Sequence, residues 1–518
     1  MKILMINVVC GIRSTGRICT DLAIALKKRG HTVKIAYGRE SVPKEYERFA
    51  VRIGTDYDVR MHGIEARVLD RCGFGSKKTT QNFISWIREY NPDIIHLHNL
   101  HGYYINIEIL FDYLRICKKK IIWTLHDCWA FTGHCSYFDL VKCEKWIEGC
   151  YNCPNINEYP KSIIDFSKRN WERKNKLLTC IPNLTIVTPS KWLADLVKKS
   201  FLRKYQVFVI NNGIDVSKFY PLRNDFREYY GIQNKFIIFA EVDVYNKEDA
   251  ISYYIELAKE LEKNKACVTI IMIADKKLLM KNLPSNILAL NTTNSFKEEE
   301  YIRSSANMII NHVECNVNDL ATNICEEIKE KELDERLHID ISDIVTSSDG
   351  YWKSKKKLGL IGCKIIISVA AVWDKRKGLT DVIMIHDKVK AKVIIVGIND
   401  KKKRNVPKDI MAVMRTNNVE ELRRLYGLAD VFLNPTYEDN FPTTNIEALC
   451  CGTPVITYNT GGSAESIGKC GCAVKKGDTN ALIKAIDNIK VTSQECKDQG
   501  LFFDKKLMTL KYLDLYRL

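Results

Sequence analysis

Short apolar runs alternate with amphipathic stretches along most of the chain. The runs KILMINVV, TVKIAYG, DIIHLH, KIIWTLHD, LTIVTPS and QVFVINNG have strand length, and the segment near Thr20–Arg29 has helical periodicity. Buried parallel strands appear in a sequence as continuous apolar runs, and crossover helices separate them. The pattern therefore predicts an α/β fold built on parallel sheets.

A boundary is predicted where this first series of strands ends. The segment from Asn211 to Pro221 combines a glycine turn with a proline stop, a composition that is typical of a connection between domains. We predict a first α/β domain over residues 1–205 and a hinge over residues 206–225.

After the hinge the chain carries a similar pattern twice. The segment NKFIIFAEVDVYNKEDA, from Asn234, resembles CKIIISVAAVWDKRKGL, from Cys363. Positions farther along agree in order and spacing: Ala306 aligns with Ala429, Asn311 with Asn434, and Asn323 with Asn445. This agreement predicts two related units, over residues 226–330 and 351–500, with a linker over 331–350 and a C-terminal helix over 501–518. Chance resemblance between two strand patterns is the alternative.

Composition narrows the class of protein. The 518 residues are 46% hydrophobic and 27% charged, which is ordinary for a globular protein. No run reaches the roughly 18 apolar residues that a membrane span needs, and the N-terminal residues do not resemble a signal peptide. We therefore expect a cytoplasmic protein.

The charge suggests which partners to expect. The net charge of +16 is spread over several lysine-rich runs, and no nucleic-acid-binding motif lies between them. We expect anionic small molecules as partners, or peripheral binding at an anionic inner membrane face, and no nucleic acid. A positive surface that is simply solvated is the alternative.

The main cluster of candidate site residues lies in the second of the two related units. In chain order its members are Glu438, Asp439, Phe441, Pro442, Thr443, Thr444 and Glu447. We place Glu447 at the start of a helix, where free backbone N–H groups bind phosphate and a nearby carboxylate accepts hydrogen bonds from ribose or sugar hydroxyls. The cluster favours a nucleotide-sugar site, and capping of the helix by its acids is the alternative.

The stretch YEDNFPTTNIEALCCGTPVITYNTGGSAE resembles the donor-site signature of glycosyltransferase family 4, and the resemblance covers residues 1–225 and 350–518. Members of that family are retaining enzymes with the GT-B fold, in which two Rossmann-like domains face a cleft. The resemblance implies a nucleoside-diphosphate sugar as donor and no catalytic metal. It also implies a glycan or lipid-linked acceptor in cell-envelope or exopolysaccharide biosynthesis.

The family pattern assigns roles to the acids by position. Asp439 matches the acid that contacts the donor sugar, and Glu447 matches the acid that contacts the nucleotide ribose. Because the first acid of the family is usually glutamate, the neighbouring Glu438 is a second candidate for the sugar contact.

A basic turn in VWDKRKGL resembles the element of the family that faces the donor diphosphate. Lys377 aligns with the lysine of the family, and Val372 stands where most members carry an arginine, so we infer that Arg376 replaces it. Two cations facing a pyrophosphate would form charge-assisted hydrogen bonds. A solvated basic turn is the alternative.

The first related unit lacks this basic pair. Glu248 and Asp249 stand at the corresponding positions, and like charges repel an anion. We therefore predict that residues 226–330 are a degenerate copy of the donor half-domain, inserted between the two working domains.

Two features of the first domain complete the predicted cleft. Gly16 and Arg17 belong to a turn that resembles the glycine-rich loop of the family, although Arg17 would also suit an ordinary helix start. His126 and Asp127 follow a strand, where open α/β sheets bind ligands, and resemble the acceptor-side histidine of the family. A buried structural histidine is the alternative.

Four cysteines lie close together in the sequence. Cys135, Cys143, Cys150 and Cys153 would form a tetrahedral structural zinc site, and free thiols or disulfides are the alternatives.

Two other functions remain compatible with the sequence. One is a catalytically inactive, glycosyltransferase-like carbohydrate-binding scaffold, because the inserted unit separates the halves of the predicted site. The other is a different GT-B enzyme, such as a sugar-nucleotide epimerase or a phosphorylase.

Overall fold

A computed structural model describes residues 1–233, 235–240, 247–274, 283–291, 295–310, 316–335, 350–414, 416 and 418–517. Within these residues the strands form three sheets, and neighbouring strands pair in parallel throughout. The α/β class predicted from the apolar runs is confirmed. None of the helices in the described ranges has the length and apolarity that a membrane span requires.

The first sheet has the strand order β3-β2-β1-β4-β5-β6-β7. Its strands are β1 (Lys2–Asn7), β2 (Thr32–Tyr37), β3 (Ala50–Arg52), β4 (Ile94–Leu97), β5 (Lys120–Thr124), β6 (Leu184–Thr188) and β7 (Val207–Val209). The helices around it are α1 (Arg13–Lys28), α2 (Asp56–Leu69), α3 (Lys77–Tyr90), α4 (Ile107–Ile116), α5 (Ser167–Leu178) and α6 (Lys191–Lys199). Residues 3–6 of β1 are fully buried, as expected for a central strand covered on both faces.

A second, smaller sheet follows the short helix α7 (Phe226–Tyr230) and has the order β10-β9-β8-β11. Its elements are β8 (Phe236–Ala240), α8 (Lys247–Lys263), β9 (Val268–Ala274), β10 (Ile287–Asn291), α9 (Phe296–Ser304), β11 (Met308–Ile310) and α10 (Val317–Glu335). Helix α10 extends five residues into the predicted linker, and residues 336–349 of that linker lie outside the described part. The side chains of Glu248 and Asp249 also lie outside it.

The third sheet has the order β14-β13-β12-β15-β16-β17. Its strands are β12 (Ile365–Val369), β13 (Lys392–Val396), β14 (Met411–Val413), β15 (Val431–Asn434), β16 (Val455–Tyr458) and β17 (Gly471–Val474). The helices are α11 (Tyr351–Lys357), α12 (Leu379–His386), α13 (Asp400–Lys403), α14 (Val419–Leu428), α15 (Thr443–Cys450), α16 (Ser463–Ile467), α17 (Thr479–Asn488), α18 (Ser493–Leu501) and α19 (Lys505–Arg517).

The second sheet repeats the order of the first four strands of the third sheet. An equivalent hydrogen bond recurs in both: the Ile237 amide donates to the Asn307 side chain (2.9 Å), and the Ile365 amide donates to Asp430 (2.8 Å). In the structure Ile237 thus corresponds to Ile365. The sequence alignment, which pairs Asn234 with Cys363, is shifted by one residue at this strand.

The second and third sheets share one hydrophobic core. Ile237, Phe239 and Ile271 belong to the same buried cluster as Ile365 and Ile367. The second sheet therefore packs against the third-sheet part of the molecule through a shared core.

Helix α19 returns from the third sheet to the first. The hydroxyl of Tyr512 lies 2.9 Å from the Thr124 hydroxyl, and the hydroxyl of Tyr516 lies 2.7 Å from Nδ1 of His96. The C-terminal helix predicted over residues 501–518 thus holds together the two halves of the molecule that flank the cleft.

Candidate functional site

The predicted site residues from both ends of the chain meet at the carboxyl ends of the strands of the first and third sheets. The Asn440 side chain donates to the carbonyl of His126 (2.5 Å), and the amide of Leu140 donates to Glu438 (2.6 Å). The carboxylate of Glu465 accepts hydrogen bonds from the first amides of α6 (2.8 Å). The cleft is therefore closed over the candidate residues.

Glu447 lies in the second turn of α15, four residues after its first residue, so the prediction that it opens the helix is wrong. Pro442 is the N-cap, because its fixed φ suits the end of the extended loop. Glu447 accepts a hydrogen bond from the Tyr426 hydroxyl (3.2 Å). Burial raises the pKa of Glu447 to about 7, although that hydrogen bond and the charge of Arg17 lower it.

Arg17 lies on the first-sheet side of the cleft, close enough for its charge to lower the pKa of Glu447. Arg17 is exposed and belongs to the first turns of α1, which starts at Arg13, seven residues earlier than predicted. Gly16 lies within the same turn, where its carbonyl accepts from the Gly11 amide (3.2 Å). A Cβ at Gly16 would lie only 3.1 Å from the Val9 side chain, which explains the small residue.

The start of α15 is suited to an anion. Thr443 and Thr444 are its first two residues, and within the described structure no side chain caps its N-terminus. Free N–H groups at a helix start attract phosphate. Phe441 is buried in front of this turn and packs edge-on against Phe503, with ring centroids 5.5 Å apart.

The two neighbouring acids have different surroundings. Asp439 pairs with the Lys377 ammonium (2.5 Å) and accepts from the Phe441 amide (3.2 Å). Glu438 is buried, and one of its oxygens is bonded to the Leu140 amide of the opposite domain. Burial raises the pKa of Glu438.

Arg376 and Lys377 lie in a single 3-10 turn, Lys375–Lys377, after strand β12. The Arg376 guanidinium pairs with Asp374 (2.8 Å) and lies over the ring of Tyr137, 4.6 Å from its centroid. The basic turn is anchored to the acidic loop, because the Tyr437 amide donates to the Arg376 carbonyl (2.6 Å). The structure thus brings both predicted cations to the acids.

Gly461 and Gly462 support the acidic loop, although the sequence pattern alone assigned them no role. A Cβ at Gly461 would lie 1.7 Å from the Asp439 carbonyl oxygen, and Gly461 has a φ of +52°. The Gly462 amide donates to that same carbonyl (3.2 Å). The consecutive glycines in NTGGSAE are therefore required by the close approach of two backbones.

On the opposite side of the cleft, His126 and Asp127 lie within a cluster of histidines. Nε2 of His126 lies 3.0 Å from Nδ1 of His98, and burial lowers the pKa of His126 to about 4. Asp127 pairs with His101 (2.7 Å). Burial alone would raise the pKa of Asp127, but the interactions with His101 and the Trp129 amide outweigh it and lower the pKa.

His98 and His101 were missed as site residues. Both occur in HLHNLHGYY, which begins within β4 and continues past its end, and this position at the end of a strand could have identified them.

The four cysteines of the predicted zinc site line one small cavity of about 10 Å³, together with His134. Nδ1 of His134 lies 2.5 Å from the Asp70 carboxylate, and the buried Nε2 of His134 has no hydrogen-bond partner among the described residues. In the described part of the chain, no three His, Cys, Asp or Glu side chains converge as a bound metal would require.

Two family models match the chain on either side of the inserted unit. Residues 15–218 match the model described as Glycosyltransferase Family 4, and residues 363–490 match the model described as Glycosyl transferases group 1.

Curated relatives are named as glycosyl transferases or as a glycolipid synthase, and this chain matches only part of the length of each. The glycosyl transferase WcaC of Escherichia coli K12, named for colanic acid biosynthesis, is 28% identical over 236 residues, which are 42% of this chain and 55% of that protein. An alpha-galactosylglucosyldiacylglycerol synthase of Streptococcus pneumoniae is 31% identical over 112 residues, 19% of this chain and 30% of that protein. The chain thus spans about half or less of these relatives.

Solved structures support the fold. The lipopolysaccharide outer core galactosyltransferase WaaB aligns with a TM-score of 0.50 at 8% identity, over 99% of this chain and 98% of that one. The trehalose 6-phosphate synthase of Burkholderia multivorans aligns with a TM-score of 0.50 at 10% identity, over 100% and 96%. The chain therefore contains a Glycosyltransferase Family 4 domain and a Glycosyl transferases group 1 domain, one on each of the two sheets that form the cleft, and it has the GT-B fold.

Proposed function

We propose that this protein transfers a sugar from a nucleoside-diphosphate sugar to a hydroxyl of a glycan or lipid-linked acceptor in the synthesis of a cell-envelope or exopolysaccharide, with retained anomeric configuration. One observation carries the proposal. Lys377, Asp439 and Glu447 lie in one closed cleft, beside the uncapped start of α15 and opposite His126.

The donor nucleotide is assigned to the third-sheet side of the cleft. Glu447 would accept hydrogen bonds from the ribose, while the start of α15 and the cations Arg376 and Lys377 face the diphosphate. Preorganised cations and amides stabilise the negative charge that develops on a departing diphosphate. Lys377 is paired with Asp439 in the structure. When the donor binds, Lys377 would leave this ion pair and contact the diphosphate.

The surroundings of the two acids favour different roles for them. Glu438 has one oxygen occupied by the Leu140 amide and is 5% exposed, so it is suited to holding the closed cleft. Asp439 is more exposed and lies beside Lys377. We therefore assign the contact with the donor sugar to Asp439.

The acceptor is assigned to the histidine side of the cleft. Since burial lowers the pKa of His126 to about 4, its ring is neutral at physiological pH and offers a hydrogen bond rather than a charge. Asp127 and His101 hold the adjacent backbone. In the reaction, the bond from the anomeric carbon to the diphosphate oxygen breaks, and a bond from that carbon to the acceptor oxygen forms, with the hydroxyl proton passing to the diphosphate.

Two substitutions in the basic turn test this function. Lys377→Met removes a cation from the predicted diphosphate site, and we expect kcat/KM to fall by about 100-fold or more, as for loss of one preorganised charge-stabilising group. Lys375→Met changes an exposed lysine of the same turn and should alter kcat/KM by less than about threefold. Sugar transfer and donor hydrolysis are measured with a panel of nucleotide sugars.

An inactive scaffold gives a different result in this assay. If the native chain binds nucleotide sugars but turns them over no faster than Lys377→Met does, the enzyme assignment is wrong. Release of an altered nucleotide sugar without an acceptor would instead identify an epimerase.

We also propose that residues 226–330 are a degenerate copy of the donor half-domain. The repeated strand order and the equivalent bonds of Ile237 and Ile365 support this origin.

The structural zinc site stays a proposal as well. It is supported by the shared cavity of Cys135, Cys143, Cys150 and Cys153, and by the unpartnered Nε2 of His134 beside them. Binding would require these side chains to move closer together, to the roughly 2.3 Å of zinc–sulfur bonds. Purified, reduced protein should contain about one equivalent of zinc by elemental analysis, and Cys150→Ala with Cys153→Ala should remove it. A wild-type content near zero after growth with added zinc would contradict the site.

A further inference from the structure

A short segment of the first domain, residues 137–140, reaches across the cleft into the donor side. It lies in the long connection between β5 and α5, and three of its residues contact three separate elements of the third-sheet domain. We call residues 137–140 the clamp segment. The family pattern in the sequence assigns no role to it.

Tyr137 contacts the basic turn. Its ring lies beneath the guanidinium of Arg376, with 4.6 Å between the guanidinium carbon and the ring centroid. The backbone of Tyr137 is fixed, because its carbonyl accepts a hydrogen bond from the Asn155 side chain (2.8 Å). A guanidinium held between an aromatic face and a carboxylate, here Asp374, has a restricted orientation.

Asp139 and Leu140 bind the clamp segment to the third-sheet domain. The Lys476 ammonium forms an ion pair with the Asp139 carboxylate and also donates to the Asp139 carbonyl (3.1 Å). One residue later, the Leu140 amide donates to buried Glu438. Lys476 follows β17 and Glu438 follows β15, so the clamp segment bridges two loops at the carboxyl edge of the third sheet.

These contacts couple closure of the cleft to the shape of the diphosphate site. Arg376 comes from one domain and the ring that orients it comes from the other. If the domains separated, Arg376 would keep its ion pair with Asp374 but lose Tyr137, and Glu438 would lose the Leu140 amide.

We propose that residues 137–140 are a donor clamp in which Tyr137 is a positioning residue that aligns Arg376 with the donor diphosphate, so that the anion site is complete only in the closed cleft. The proposal rests on the proposed function, since it names the residues that shape its diphosphate site. The ligand class is a nucleoside diphosphate.

The first test measures equilibrium binding of UDP, GDP, ADP and dTDP to the full chain by calorimetry. For the nucleotide that the wild type binds, Tyr137→Leu should weaken binding about 5- to 30-fold, the range expected when a partly desolvated cation–aromatic contact is lost. Tyr137→Phe keeps the aromatic face and should bind within about threefold of the wild type.

Tyr151→Leu is the matched control. Tyr151 lies in the same connection, is 53% exposed, and has the Lys145 ammonium 4.4 Å from its ring centroid. The substitution therefore removes a cation–aromatic contact that lies away from the donor side, and nucleotide binding should be unchanged. Thermal unfolding of each variant shows whether a loss of affinity reflects misfolding.

A second pair of variants tests the ion pair between Lys476 and Asp139. Lys476→Met should raise the KM for the donor by about fivefold or more with a smaller effect on kcat, because a weaker closed state lowers the competent fraction. Lys475→Met, an exposed neighbour, should leave both constants unchanged.

The outcomes separate the clamp from the proposed function. If the wild type binds none of the nucleotides, the proposed function fails and the clamp fails with it. If the wild type binds one of them and Tyr137→Leu binds it equally well, the clamp alone is wrong. Equal losses in Tyr137→Leu and Tyr137→Phe also overturn it, since the aromatic face is then not the cause.

Discussion

At the scale of single residues, Glu447 shows a conflict between stability and function. Burial raises its pKa from the ordinary 4.5 to about 7. The folded protein therefore holds this proton more tightly than the unfolded chain does. Its contribution to stability is fully present below about pH 4.5 and is lost as the pH rises through about 7.

Glu447→Gln removes this titration while keeping an oxygen that can accept from Tyr426. We expect the variant to be more stable than the wild type by about 3 kcal/mol near pH 8, and by less than about 1 kcal/mol near pH 5. Nucleotide binding should weaken, because a neutral amide oxygen accepts hydrogen bonds from the ribose hydroxyls less strongly than a carboxylate does. Urea unfolding at both pH values measures the difference.

Glu89→Gln is the control, because Glu89 is an exposed acid on helix α3 of the first domain. Its stability relative to the wild type should not depend on pH. If the stability of Glu447→Gln relative to the wild type is also independent of pH, then ionised Glu447 does not destabilise the folded protein.

At the scale of helices and strands, the sequence predicted the apolar strands more reliably than the helix starts. The runs at β1, β5 and β12 are buried in parallel sheets, because continuous apolar strands have few other stable environments. Helix α1 starts earlier than its apolar periodicity indicated, since Gly16 is accommodated in its first turns. Helix α15 starts at Thr443, so Glu447 projects from its second turn.

The candidate site was predictable only where its residues are contiguous in sequence. The acidic loop and the basic turn each form a recognisable motif, and the structure joins them through Lys377 and Asp439. The contacts of His98 with His126 and of Tyr137 with Arg376 join segments far apart in the chain. No local periodicity encodes such pairs, because the first depends on the pairing of β4 with β5 and the second on how two domains close.

At the scale of the whole molecule, the second sheet contributes to the core beneath the predicted donor site. Its strand β8 and the central strand β12 of the third sheet share a hydrophobic cluster, and buried polar groups join the two units. The Lys297 ammonium donates to the carbonyls of Gly427 (3.2 Å) and Ala429 (3.0 Å). The Lys355 ammonium pairs with Glu298 at 2.6 Å, and both side chains are almost fully buried. Such an arrangement should make the two units unfold together.

Glu298→Gln tests this coupling, because it leaves the buried Lys355 ammonium without its countercharge. We expect a loss of about 3 kcal/mol in the free energy of unfolding, since breaking a buried ion pair leaves an uncompensated charge. Glu260→Gln breaks the surface pair with Lys263 and should leave the free energy of unfolding almost unchanged, because an exposed ion pair contributes little to stability. If the inserted unit and the donor domain are one cooperative unit, nucleotide binding should raise the unfolding temperature of Glu298→Gln in a single transition. A separate early transition that nucleotide does not shift would show that the inserted unit unfolds independently.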